Sequence, residues 1–186
     1  MTYKTDGSVH HGGLANEKKT IETLNRLGIF SDTVEHRGGT QQKADAAYGQ
    51  DGLISIKRKQ GTKVGSFDWS NSTFNSISAA AFDSMDVGDL LIFLRDTFAK
   101  QRGYDVIVTD TKAGLLHHFA ADAHPVLDLI ADGFLPTFAD ASKEGQTSRT
   151  IIFRRGTESV NVGLRLRITS NNGINAFLGL STSNKT

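Results

Sequence analysis

Residues 44–59 read ADAAYGQDGLISIKRK. Two short segments, Ala44–Tyr48 and Leu53–Lys59, flank Gly49-Gln50-Asp51-Gly52, a strong turn signal, and together they predict a β-hairpin. Side chains at alternate strand positions share a face. Ile54 and Ile56 therefore take the side that suits a core, and Ser55 and Lys57 take the other. Asp45 falls on the facing strand, within a few residues of both. The turn fixes the register only to within a residue, so its cross-strand partner stays open.

Before the hairpin, Leu14 to Gly28 predicts a helix. Leu14, Ile21 and Leu24 recur at helical spacing, and Gly28 stops it. Glu17 lies three residues after Leu14 and four before Ile21, on that apolar stripe. An ionised carboxylate facing a core is costly unless it is paired or binds a metal. The helix dipole offers a second reason for an acid near a helix start. Thr33–Arg37 reads as a strand that breaks at Gly38-Gly39.

After the hairpin, Gly61–Ser78 is rich in Ser, Asn, Thr and Gly and reads as a loop. Ala79–Phe82 and Leu90–Leu94 are apolar runs. Tyr104–Thr109, with contiguous Val106, Ile107 and Val108, reads as a buried strand. A helix is expected from His124-Pro125 through Ile130, with Gly133 just beyond it. Thr150–Arg154, Val160–Thr169 and Ile174–Leu180 are strand candidates, the last two joined by Asn171-Asn172-Gly173. The pattern implies an α/β fold with a mixed central β-sheet flanked by helices, in one domain spanning residues 1–186. The strands past 150 leave room for a DNA-contacting extension.

The 186 residues contain no cysteine. That excludes a disulfide framework, a thiolate metal site and a cysteine nucleophile, and it fits a reducing, cytoplasmic setting. Met1 to Gly13 is polar and Gly/His-rich, unlike a signal peptide, and no apolar run is long enough to cross a bilayer. The net charge of +1 conceals a segregation. From Asp83 to Asp140 there are ten acids and four bases, a local charge of −6, which leaves +7 on the remainder. A polyanion needs a local positive surface rather than a basic total.

Four segments in order carry a resemblance. They are Glu17 on a first helix, Arg37-Gly38-Gly39-Thr40, Lys43-Ala44-Asp45, and Ile54-Ser55-Ile56-Lys57. This order resembles the PD-(D/E)xK nucleases, among them Holliday-junction resolvases and several phage, restriction and homing endonucleases. The likeness covers Gly12 to Gln60, about a quarter of the chain. It implies a restriction-endonuclease-like core and a metal-dependent deoxyribonuclease. Glu17 and Asp45 would be ligands of Mg²⁺ (or Mn²⁺), and Lys57 would assist the attacking water or the phosphate. Two positions depart from the pattern. Ala44 stands where the family name has Pro, and Ser55 where it has Asp or Glu. Some restriction enzymes of the superfamily also carry Ser there and recruit an acid from elsewhere. Glu35 and Asp68 are candidate substitutes, and the sequence does not choose between them. The alternative is that Ser55 has cost the site a ligand and the protein binds DNA without cutting it.

Phosphodiester hydrolysis needs such a set, with carboxylates to hold a metal and a cation to steady developing charge. The DNA-contact candidates are Arg37, Arg58, Lys59 and Lys63 beside the hairpin, and Arg154, Arg155, Arg165 and Arg167 late in the chain. Arg165 and Arg167 share one strand face, opposite Leu164, Leu166 and Ile168, which suits either a phosphate grip or a solvated face. His36 could touch a phosphate. His10-His11 lie in a Gly-rich terminus, and His117-His118 are adjacent and so point apart in regular structure, a poor chelate. There is no P-loop and no serine-hydrolase elbow. The expected function is sequence-directed, Mg²⁺-dependent DNA endonuclease activity of homing or restriction type. The protein would act as a homodimer and be intracellular and phage-encoded. A junction resolvase and a catalytically silent DNA-binding protein are the alternatives.

Overall fold

The hairpin is present and belongs to a larger sheet. The computed structural model describes residues 1–4, 13–37, 44–59, 66–72, 78–99, 103–111, 113–139, 148–168 and 173–179, with the backbone alone at 4, 66–72, 79 and 179. In chain order the first elements are β1 (Thr2–Lys4), α1 (Gly13–Leu27), β2 (Val34–His36), β3 (Ala46–Tyr48), β4 (Gly52–Arg58) and β5 (Ser66–Ser72). Then follow α2 (Ala79–Asp83), α3 (Val87–Ala99), β6 (Tyr104–Asp110), β7 (Leu115–Phe119), α4 (Leu127–Ala131) and β8 (Leu135–Phe138). The last strands are β9 (Ser148–Arg155), β10 (Glu158–Val160), β11 (Arg165–Ile168) and β12 (Ile174–Gly179). The protein is thus mixed α/β, with two sheets and four helices among the described residues.

The chain divides into two compact units, Met1–Lys59 with Gln101–His124, and Gln60–Lys100 with Pro125–Thr186. The strands after Thr150 lie in the second. The first unit holds a six-stranded sheet in the order β1-β7-β6-β4-β3-β2. Strands β2, β3 and β4 form an antiparallel meander, β4 and β6 run parallel, and β7 and β1 complete the sheet antiparallel. Parallel pairing requires a long crossover, and here Gln60–Lys100 supplies it. The turn between β3 and β4 depends on Gly52, where an added Cβ would stand 2.5 Å from the Tyr48 carbonyl oxygen and ring.

Helix α1 packs on this sheet. Ile21 and Leu24 join Val34, Ala46, Ile54, Ile56, Ile107 and Leu116 in one core cluster. Ile54 and Ile56 face the core as alternation requires. Leu14 does not belong to the buried stripe, for it is 55% exposed. Asn16, Thr20 and Thr23 are buried instead. Thr20 Oγ1 donates to the Asn16 carbonyl at 2.6 Å and Thr23 Oγ1 to that of Lys19 at 2.9 Å. Hydroxyls satisfied by their own helix can enter a core at low cost. At the other end of α1, the Asn25 side chain bonds both backbone groups of Val34 and fastens β2 to the helix.

The second unit is built on a sheet of order β10-β9-β11-β12-β5, with β8 also paired to β9. Strand β5 falls inside the segment expected to be a loop. It pairs with β12 through backbone groups, which a Ser/Asn-rich composition does not advertise. The single strand expected over Val160–Thr169 is instead two. Strands β10 and β11 both pair with β9, and they are separated where Gly163 adopts φ 72° and donates its N–H to Asn161 Oδ1 at 2.8 Å. The apolar runs Ala79–Phe82 and Leu90–Leu94 lie in α2 and α3, and α4 ends before Gly133 as expected. No helix among the described residues is long and apolar enough to cross a membrane.

Candidate active site

Where β3 leaves β4, a side chain takes over the ladder. Ala46 lies opposite Ile54, and the Asp45 N–H donates to the Ile54 carbonyl at 2.9 Å. The next inward β4 donor, the Ile56 N–H, goes at 2.6 Å to Asp45 Oδ2. Ser55 Oγ donates to the same oxygen at a longer 3.4 Å. On the opposite side, the Arg37 N–H donates to the Asp45 carbonyl at 3.0 Å. Asp45 thus stands at a fork in the sheet, with its carboxylate held in the strand plane. Its other oxygen, Oδ1, accepts no hydrogen bond among the described residues. The partner that the turn left open is no ladder residue, since the register ends at Ala46 opposite Ile54; Asp45 instead meets Ser55 and Ile56 through its side chain.

The remaining residues divide between the two faces of the sheet. Ser55 and Lys57 alternate with the core-facing isoleucines and so lie on the face away from α1. Lys57 is half-buried and has no ion pair among the described residues. Glu17 belongs to the α1 face. Its Oε2 lies 2.9 Å from His36 Nε2, and both side chains are about a quarter exposed. His36 sits opposite Ala46 in β2, and its neighbour Arg37 carries the backbone bond to Asp45. The structure therefore brings Asp45 and Ser55 into contact and ties Glu17 to His36. Glu35 is exposed, across from Ala47. Asp68 is on β5, in the second unit.

Of the basic candidates, Arg37 and Arg58 are exposed. Lys59 is committed to Asp110 at 2.8 Å, and that carboxyl is buried. Burial alone would raise the Asp110 pKa, but the Lys59 ammonium and the Ala113 N–H hold it below the ordinary aspartate value. Arg155 is engaged by Glu158 at 2.8 Å and Asp132 at 3.1 Å. Arg154 is exposed, as is Arg167, while Arg165 is half-buried with its guanidinium 5.8 Å from the centre of the Phe177 ring. Leu164 and Leu166 are fully buried behind them, so the expected two-faced strand is present. Lys63, His10 and His11 lie outside the described residues.

A second polar cluster was not anticipated. Asp105 is 3% exposed. It accepts from Tyr48 Oη at 2.6 Å, from His118 Nε2 at 2.7 Å and from the Ala121 N–H at 3.3 Å. His118 Nδ1 is buried and has no hydrogen-bond partner among the described residues. Nε2 is thus the ring nitrogen that donates to the Asp105 carboxylate. His117 turns the other way, to Thr2 Oγ1 at 3.0 Å. The two histidines do point apart.

The chemistry of the donors suits a hard cation. Asp45 and Glu17 each have one carboxylate oxygen engaged and one that accepts nothing among the described residues. Mg²⁺ is commonly held by one or two carboxylates, its own waters and substrate phosphates. No group of three or more acids and histidines placed for a metal occurs among the described residues, so protein oxygens alone would make a sparse set. No family model, curated protein or solved structure matches the chain.

Proposed function

We propose that the protein is a Mg²⁺-dependent DNA endonuclease of the PD-(D/E)xK type, with the fork at Asp45 as its reaction centre. The observation that carries this reading is the capture of Asp45 Oδ2 by the Ile56 N–H where β3 and β4 part. It puts an immobilised carboxylate one residue from Ser55 and within the same hairpin as Lys57. The meander β2-β3-β4, the parallel β4–β6 pair and the helix carrying Glu17 suit a restriction-endonuclease-like core.

In this reading Asp45 in the strand plane, and Glu17 coming from the α1 face, would hold the metal, which when bound would polarise the phosphate and activate water. The chain's own residues prepare that site. The Ile56 N–H and Ser55 fix one oxygen of Asp45, and His36 fixes one of Glu17. Lys57, without a carboxylate partner among the described residues, supplies a cation for charge that develops on the phosphate. Arg37 and Arg58 neutralise neighbouring phosphates. Ser55 cannot add a charge to the metal set, and this favours a second reading, a protein that binds DNA without cutting it.

One assay separates these readings. Supercoiled plasmid, linear duplex and a four-way junction are incubated with Mg²⁺ and with EDTA. Cutting of duplex that EDTA stops is expected. Cutting confined to the junction would make the protein a structure-selective nuclease. Tight binding without cutting in Mg²⁺ or Mn²⁺ would leave only the binding protein.

The arginine face of β11 gives a separate expectation. Arg165→Ala and Arg167→Ala should each weaken DNA affinity and lower the slope of log K against log salt by about 0.9 per lost phosphate contact. Arg167 is the cleaner test, because Arg165 also packs over Phe177. Affinity and slope equal to those of the parent would reduce the pair to a solvated face.

A further inference from the structure

A groove in the second unit lies between α2 and the outer side of α3. Its walls are Ala81, Met85, Ile92 and Phe93, and Asp89 and Asp96 stand at its rim. Its volume of about 450 Å³ falls within the range of small binding pockets. Ile92 is 63% exposed, the most exposed large aliphatic side chain of α3. A helix that turns an isoleucine outward beside a methionine and a phenylalanine leaves apolar surface uncovered.

The acids at the mouth are held in place. The Asp86 N–H donates to Asp89 Oδ2 at 3.1 Å, and the Asp89 N–H to Asp86 Oδ1 at 2.9 Å, a reciprocal cap on the first turn of α3. Their charge is therefore fixed at one end of the groove, with Asp96 two turns further along. From Asp83 to Asp96 the chain has four acids and one base, Arg95. Such a rim repels DNA and anionic lipid. It also opposes a second copy docked through the same groove, because two-fold symmetry sets like patches against each other.

We infer that the α2/α3 groove docks an amphipathic helix of a partner protein, whose apolar side chains enter beside Ile92 and whose lysines or arginines meet Asp86, Asp89 and Asp96. Helix-in-groove recognition reads apolar anchors at i and i+3 or i+4, and the flanking basic residues set orientation. None of these residues belongs to the proposed nuclease site, so the inference stands or falls apart from that reading.

The test uses the full chain and a fluorescent synthetic helix with leucines four apart on one face and lysines on the other. A control peptide has the same composition in scrambled order. The patterned helix should bind measurably more tightly than the scrambled one. Ile92→Asp should weaken it about tenfold, the effect of losing one buried anchor. Asp96→Lys should weaken it several-fold, and more at low salt than at high. Both positions are exposed, so circular dichroism and DNA affinity should match the parent. Equal binding of the scrambled peptide, or indifference to Ile92→Asp, would overturn the inference. So would a dimer in sedimentation that Ile92→Asp abolishes, since the groove would then belong to a second copy.

Discussion

Asp45→Asn is expected to leave the protein folded and unable to cut DNA. The amide oxygen of asparagine can still accept the Ile56 N–H, so the fork in the sheet keeps its bond. The negative charge that would hold a divalent cation is gone. Loss of such an electrostatic element costs on the order of 10²–10³ in rate. Asp45→Ala removes the acceptor as well. It should add a loss of stability of about 1–3 kcal/mol, because a backbone donor is left without a partner. Comparing the two variants separates chemistry from architecture. Urea midpoints should fall in the order parent and Asn variant, then Ala variant, while Mg²⁺-dependent nicking should fall by at least that factor in both. Near-parental nicking by Asp45→Asn would remove Asp45 from the mechanism.

The second large effect is on folding, not on catalysis. Asp105→Ala should destabilise the protein by about 3–5 kcal/mol, as expected when one partner is removed from a buried charged cluster. It strips Tyr48 and His118 of their shared acceptor. The cluster also predicts a pH dependence. Burial by itself favours the protonated Asp105. The hydrogen bonds from His118 and Tyr48 outweigh it and hold the carboxyl below the ordinary aspartate value. A group whose pKa is lowered by folding contributes fully above its unfolded value, about 3.9, and loses that contribution as pH falls through the lower folded value. Tyr48 behaves oppositely. Burial, then the hydrogen bond to Asp105, pushes its hydroxyl up to about 12. Its contribution is complete below about 10 and fades as pH rises through 12. Urea unfolding at acid, neutral and alkaline pH reads both effects. The gap between parent and Asp105→Ala should narrow in acid, and a gap under 1 kcal/mol at pH 7 would show that the cluster does not support the fold.

The hairpin and α1 were legible in the sequence for local reasons. Period-two alternation ran through Ile54-Ser55-Ile56-Lys57, a glycine turn preceded it, and Gly28 closed the helix. The stripe of α1 was harder to read. Hydropathy counts Leu14 as core and Thr20 as surface, whereas a threonine whose hydroxyl returns to its own helix can be buried. Strand β5 was missed because five of its seven residues are Ser, Asp or Asn, types that favour turns and loops over strands. The fork at Asp45 could not be derived either. It depends on where one strand departs from another, and a turn fixes that only to within a residue. In the Asp105 cluster, the β6–β7 hairpin brings His118 to Asp105, but Tyr48 is far away in sequence and reaches them only through the parallel β4–β6 pairing.

That pairing also bears on how the chain is made. Along β4, Ser55 must wait for Val106 and Lys57 for Val108. During synthesis β4 therefore emerges with one side unpaired and stays so while Gln60–Lys100 is added, and an open strand edge is a template for the wrong chain. Contacts this distant in sequence also slow folding, because loop closure precedes their reward. Lys57, Arg58 and Lys59 occupy the end of that waiting edge, where like charges on two nascent copies repel each other. Lys57 and Arg58, proposed to meet phosphate in the finished protein, would thus also help keep its unfinished sheet apart from its neighbours.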